Sequence, residues 1–357
     1  MGKKEKHPPE SSEALDAMEE VIRTTKRKKN FFEANVIPLK GDTKKVLRRK
    51  SLFDLLLLIM VASTVVFLWF SVLDPIRGRG IDKDWHDYRP PTVETTAPAQ
   101  QPTGGAQVVE TTKPPVPTTR VPLDTLWARN KDFKFWITAP GANISYPVVQ
   151  YTDNDYYLYT NFDRKPSRYG NPFLDWRCKL DPASSNLIIY GHNMKDGSIF
   201  ARLSYYRQRD VVAYHPIITL EWPDGGTWQF KIIAVLIING NASDDNGHIF
   251  AVNTPDFPTQ ASFDGYIRQL EQRTLIKTGV DVRYGDKLIS LQTCVYDFKP
   301  AFLYVVGRMV RPGESIKVDS AGVKANPSPR LPQIMYDKKG KKNPYAGAEL
   351  WFPPSRD

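Results

Sequence analysis

Two residues stand where nucleophilic catalysis would want them. Cys294 closes the apolar run KLISLQT in the stretch LQTCVYDF, and His192 follows the run NLIIY across Gly191 in IYGHNM. A side chain at the exit of a buried strand is held rigidly yet can face a cleft. A thiol, with a pKa of about 8.5, is mostly protonated at neutral pH, and a neighbouring imidazole can raise its thiolate fraction. A Cys/His pair therefore supplies a nucleophile and a proton carrier. Taken singly, each has a plainer reading: a cysteine is most often a small buried hydrophobe, and a histidine a hydrogen-bonded core residue. Cys178 is the second of the two cysteines. Two are too few for a disulfide scaffold, and a bridge between them would abolish nucleophilicity. Asp297 could orient His192, although capping the turn after Cys294 is its simpler role. His192, His215, His248 and the two cysteines show none of the close ligand spacings that zinc favours, so neither a metal nor a cofactor is expected.

The elements that would position this pair read as short strands. Residues 186–191 (NLIIYG), 217–222 (IITLEW), 228–239 (WQFKIIAVLIIN), 287–294 (KLISLQTC) and 303–310 (LYVVGRMV) are rich in β-branched and aromatic residues. Pro223-Asp224-Gly225-Gly226 joins two of them as a hairpin. Phe263, Tyr266, Ile267 and Leu270 share one face of a helix near 261–273, and a second helix fits 123–130. Frequent strands with few helices predict a mainly β fold, a closed or nearly closed barrel of roughly 190 residues.

The rest of the 357-residue chain is not globular in composition. Apolar residues make up 41% and aromatics 12%, which excludes a wholly disordered protein. The formal charge of +10 resides in the ends: residues 1–50 carry +6, residues 313–357 carry +3 and the body only +1. A nucleic-acid groove would need that charge on the folded body, so no nucleic-acid partner is expected. Residues 55–73 read LLLLIMVASTVVFLWFSVL. As a helix they would rise roughly 28 Å, close to the hydrocarbon thickness of a bilayer. Lys44, Lys45, Arg48, Arg49 and Lys50 precede them, which keeps that flank in the cytoplasm and sends the rest outside. The run is too long for a signal peptide and no A-x-A-like site follows. Residues 89–122 hold eight prolines and eight threonines, the composition of an extended stalk. Five segments follow: a basic cytoplasmic head (1–50), an anchor (51–74), a stalk (75–122), a folded domain (123–312) and a Pro/Lys-rich tail (313–357). In the head, Ala14, Leu15, Met18, Val21 and Ile22 have helical spacing behind Ser11 or Ser12, and a solvated basic tail is the simpler reading. The tail either wraps the domain through Tyr336, Trp351 and Phe352 or stays disordered.

The stretches SYPVVQYTDNDYYLYTNF, GNPFLDW, NLIIYGHNMKDGSIFARLSYY and LISLQTCVYDF, with VVGR behind the last, resemble a class B sortase over residues 123–310. The resemblance implies a closed eight-stranded barrel with peripheral helices. It also implies a cysteine transpeptidase of Gram-positive bacteria, anchored in the cell membrane by one helix with its catalytic domain outside. Such an enzyme cleaves a C-terminal sorting motif on a secreted protein through a thioacyl intermediate. It then passes the protein to an amine of peptidoglycan or of a pilin. Carried over, Cys294 is the nucleophile and His192 the general acid/base, with Tyr190 and Thr293 lining the groove.

One feature departs from the family. An arginine usually stands eight to ten residues after the cysteine, to position substrate and stabilise the oxyanion. Here those positions are Phe302, Leu303 and Tyr304. Tyr304 offers a hydroxyl donor, and Arg283, in a loop ahead of the cysteine strand, could reach in. Arg308, about 20 Å further along the strand than Phe302, is a poor substitute. A weak or silent sortase-like binding protein is the alternative that this departure raises. An unrelated cysteine peptidase or amidase is disfavoured by the order, histidine before cysteine.

Overall fold

The computed structural model describes residues 36–39, 41–68 and 123–354, in two units, Met1–Ile76 and Arg77–Asp357. The head segment near Ala14–Ile22, the Trp69–Phe70 end of the apolar run and the Pro/Thr-rich stretch lie outside the described residues.

In the first unit the basic and apolar runs form one helix, α1 (Lys44–Leu68). Among the described residues it is the helix long and apolar enough to cross a membrane. Lys50 turns back from it: its Nζ donates to Asp42 Oδ2 and to the Ile37 carbonyl, both at 2.6 Å.

The second unit opens with α2 (Leu123–Arg129), whose Leu123 and Leu126 are buried. Eight strands follow in a closed barrel, in the spatial order β1 (Phe133–Ala139), β2 (Ile144–Val149), β3 (Phe173–Leu174), β4 (Asn186–Tyr190), β8 (Leu288–Val295), β9 (Ala301–Met309), β6 (Thr227–Asn239) and β5 (Ile217–Glu221). β5 returns to β1 and closes the ring. The remaining strands, β7 (Ile276–Lys277) and β10 (Lys324–Ala325), pair only with each other. The turn at Gly225, with φ of +88°, takes the left-handed conformation that the Asp-Gly-Gly sequence suits.

Period-2 alternation divides the side chains of β8 between two surroundings. Ile289, Leu291 and Val295 join the barrel core, with Leu303 and Val305 of β9. Leu288, Tyr304, Val306 and Leu236 face outward; after α3 (Arg209–Tyr214), which precedes β5, the chain covers them with the apolar side of α4 (Gln260–Arg273). Phe263, Tyr266, Ile267 and Leu270 are all buried there, as their spacing predicts. Thr259 caps the helix, its hydroxyl accepting from Ser262 N–H.

The tail wraps this unit. Trp351 is only 8% exposed, and its indole donates to the Ser262 carbonyl at 3.0 Å. Gly265 admits it: a Cβ there would lie 2.6 Å from the ring. A side chain of this size buries roughly 150–250 Å², about 4–6 kcal/mol as an upper bound. Tyr336 donates to the Pro329 carbonyl, whereas Phe352 stays on the surface against His248.

Candidate active site

Cover over the outer face of β8 runs out along its length. Leu288 and Ser290 are fully buried, Gln292 is half-buried and Cys294 is exposed. β4 runs parallel beside it in the register Tyr190 to Gln292. The pairing continues one bond further, from Gly191 N–H to the Gln292 carbonyl at 3.1 Å. His192 follows two residues beyond the end of β4 and Cys294 two residues beyond Gln292 on β8, so both emerge at the same end of the strand pair.

Side chains cross-link the two chains at this point. Asn193 Nδ2 donates to the Cys294 carbonyl at 2.7 Å, and Thr293 Oγ1 to the Gly191 carbonyl at 2.8 Å. Gly191 is required by packing, since a Cβ there would lie 2.5 Å from the Phe200 ring. Phe200 in turn closes the loop by donating its N–H to the His192 carbonyl. His192 Nε2 lies 2.8 Å from the Leu158 carbonyl. A carbonyl only accepts, so this nitrogen carries the proton and Nδ1 is left for proton exchange. No hydrogen bond joins the imidazole to the Cys294 sulfur. Both cysteines are free thiols. Protein on either side of Cys294 desolvates it enough to push its pKa up, and no charged group acts to lower it.

The floor beside Cys294 is built of phenols and one amide. Phe302 faces Cys294 across β9, and Tyr304 faces Gln292. Tyr304 donates its hydroxyl to Gln292 Oε1 at 2.5 Å, and burial raises its pKa. With its oxygen so occupied, Gln292 presents its NH2 as donor on the face it shares with Cys294. Half-buried Tyr190 donates to Asp175 Oδ2 at 2.7 Å. Burial works to raise the Asp175 pKa, but hydrogen bonds from Arg177 and Tyr190 bring it below the ordinary value. Exposed Tyr159 and Tyr296 flank the pair: one ring centroid lies 6.4 Å from the imidazole, and the other hydroxyl reaches the Asn193 carbonyl at 3.5 Å. Among the described residues, no three His, Cys, Asp or Glu side chains converge as metal ligands.

No family model matches the chain. It is 34% identical over 191 residues to Sortase B of Listeria monocytogenes, a match spanning 53% of this chain and 74% of that one. The chain belongs to the class B sortase family. Sortase B of Staphylococcus aureus is 28% identical over 194 residues, 54% of this chain and 76% of that one. The crystal structure of Clostridium perfringens sortase B matches at 32% identity and a TM-score of 0.48, covering 53% of this chain and all of that one. The protein is thus a sortase, a cysteine transpeptidase, and its barrel has the eight strands expected of it.

In this sortase several residues singled out by sequence sit elsewhere than expected. Thr293 is buried, at 2% exposure, on the face opposite Cys294; it clamps Gly191 and lines no groove. Arg308 and Arg283 lie at the other end of β8. Arg308 pairs with Leu288 in register, is fully buried and is bound to Glu314. Arg283 sits in the exposed loop before Leu288, about 20 Å of strand from Cys294. Neither reaches the thiol. Asp297 is gripped by both terminal nitrogens of Arg207, at 2.8 and 3.1 Å, and so does not orient His192. Gln292, Asn193 and Leu158 were missed by sequence reasoning. Gln292 was accessible to it, being two residues from Cys294 and hence on the same face of the strand.

Proposed function

We propose that this sortase is an active transpeptidase in which Cys294 is the nucleophile and His192 the proton carrier. The reading is supported by the two links, Asn193 to the Cys294 carbonyl and Thr293 to the Gly191 carbonyl, that hold the segments bearing both residues together at the uncovered end of β8. The Cys294 thiol gives its proton to His192 Nδ1, and the thiolate so formed attacks the carbonyl carbon of a scissile peptide bond in the sorting motif of a secreted protein. A C–S bond forms, the C–N bond breaks, and the departing amine takes a proton from His192. An acceptor amine of peptidoglycan or a pilin then gives its proton to His192 and attacks the thioacyl carbon, releasing the thiolate. The Gln292 NH2, held by Tyr304, donates to the oxyanion in place of the usual arginine. Tyr190 floors the groove. The apolar helix anchors the chain in the membrane, with the basic flank inside and the barrel outside on its Pro/Thr-rich stalk.

The test is to incubate the full chain in detergent micelles with a sorting-peptide library and an amine, and to follow peptide–amine products by mass spectrometry. Products that vanish with Cys294→Ala support the reading. The tyrosine at the arginine position favours a second reading, a silent sortase-like binding protein. Peptide binding without products from any peptide would establish that one instead.

A further inference from the structure

A cavity of about 190 Å³ lies between the end of β6, the end of α4 and the tail. Arg273 of α4 and Arg330 of the tail both line it, at 8% and 9% exposure. Arg273 donates to Gln269 Oε1 and lies over the Phe250 ring at 4.9 Å. Arg330 donates to Gln272 Oε1 at 3.1 Å, to the Glu349 carbonyl at 2.9 Å and, at 3.5 Å, to Gln269 Oε1. All these partners are neutral. Neither guanidinium forms an ion pair among the described residues, in contrast to Arg308 and Arg311.

Two buried cations side by side are costly unless an anion joins them. Burial and the Arg330 charge both pull the Arg273 pKa down. Two neutral donors line the same cavity. Asn239 is 2% exposed and hydrogen-bonds the Asp245 side chain, while His248 Nε2 has no partner among the described residues. One carboxyl opposes this set. Asp245 accepts the Gln333 N–H on Oδ1 and a side-chain hydrogen bond from Asn239, and its charge favours the Arg273 cation. Burial raises its pKa, against the Gln333 and Asn239 hydrogen bonds and the Arg273 charge, which lower it. Paired arginine forks match the oxygens of a carboxylate or phosphate. The volume equals about six waters, enough for one such group but not for a peptide.

We propose that Arg273 and Arg330, with Asn239 and His248, form a binding site for a small oxyanion of carboxylate or phosphate type. It lies on the barrel's outer face at the Cys294 end. Ile238 pairs with Phe302 and Phe302 with Cys294, so two strand spacings, about 10 Å, separate the site from the thiol. Because Arg330 belongs to the tail and Arg273 to α4, a bound anion clamps the tail onto the barrel.

Isothermal titration of the full chain in detergent micelles, at fixed ionic strength, tests this with inorganic phosphate and with acetate. One saturable site per chain is expected, with a Kd on the order of 1 mM or tighter for at least one anion. Whichever anion binds identifies the source chemistry. Arg330→Gln and Arg273→Gln should each weaken it roughly 10- to 100-fold, while Lys338→Gln leaves it unchanged. Limited proteolysis should show the tail protected by the anion in the wild type and not in Arg330→Gln. Should Arg273→Gln fail to fold, Arg330→Gln decides alone. No saturable binding of either anion, or equal affinity in Arg330→Gln, overturns the proposal.

Discussion

The two ends of the β8–β9 pair are built on opposite plans. At the Leu288 end, charge is dense and tied into ion pairs. Arg308 and Lys231 share Glu314, and Arg311 holds Asp281 and Asp286, each at 2.7 Å. At the Cys294 end, about 20 Å away, the outer face carries a thiol, an amide and phenols, and the cover of α4 has ended. Matched charge locks one end of the hairpin. At the other, the free thiol is exposed and no charged group acts on it. The arginines of this stretch therefore serve stability, and the donor proposed beside the thiol is a neutral amide.

Changes at the open end should cost rate and spare the fold. His192→Gln removes the proton carrier and is expected to lower kcat about 10²–10⁴-fold with little change in Tm. A rate within tenfold of wild type would remove His192 from the chemistry. Gln292→Ala should lower kcat about 10²-fold with KM little changed, because the donor matters only as charge develops. Tyr304→Phe, which frees the amide without deleting it, should cost about tenfold. A larger loss for Tyr304→Phe than for Gln292→Ala would make the tyrosine hydroxyl the donor.

Changes at the closed end should do the reverse. Arg308→Gln breaks a buried pair and is expected to cost about 3 kcal/mol of stability by denaturant titration, with kcat unchanged where the chain is folded. Arg308, ahead of Lys231, holds the Glu314 carboxyl well below the ordinary carboxylate range. A depressed folded pKa stabilises above the unfolded value of about 4.3 and loses that contribution as pH falls below it. Tm should therefore fall as the wild type is taken from pH 5 towards 2, and less steeply in Arg308→Gln.

The two thiols repeat the contrast on a smaller scale. Cys178 is 4% exposed, donates to the Asn186 carbonyl at 3.4 Å and is pushed up to about 12 by burial. Cys294 is raised too, yet exposed. Iodoacetamide should label Cys294 about tenfold faster per pH unit above 7, with no plateau below about 8.5, and leave Cys178 unlabelled in the folded chain. A plateau near pH 7 would mean that an imidazolium already holds the thiolate.

Much of this arrangement was legible in the sequence. The long runs behind β4, β5, β6, β8 and β9 are β-branched and bounded by turn residues, and α4 declares itself by one apolar face. β3 has only two residues, too few for any period to show, and its place is fixed by pairing with β2 and β4. At the site, position at a strand end marked Cys294 and His192, whereas strand parity decided the neighbours. Thr293 adjoins the cysteine in sequence and therefore points to the opposite face. Arg283 looked close because loops can reach, but it precedes the wrong end of the strand. The tail carries no periodicity, and its docking depends on Gly265 leaving room for Trp351, a complementarity visible only in three dimensions.

The most direct test is the mass of the chain after exposure to a sorting peptide without amine. A thioacyl adduct mapping to Cys294, absent from Cys178 and discharged when an amine is added, is the predicted result. An adduct on Cys178, or one that persists in Cys294→Ala, would contradict the account.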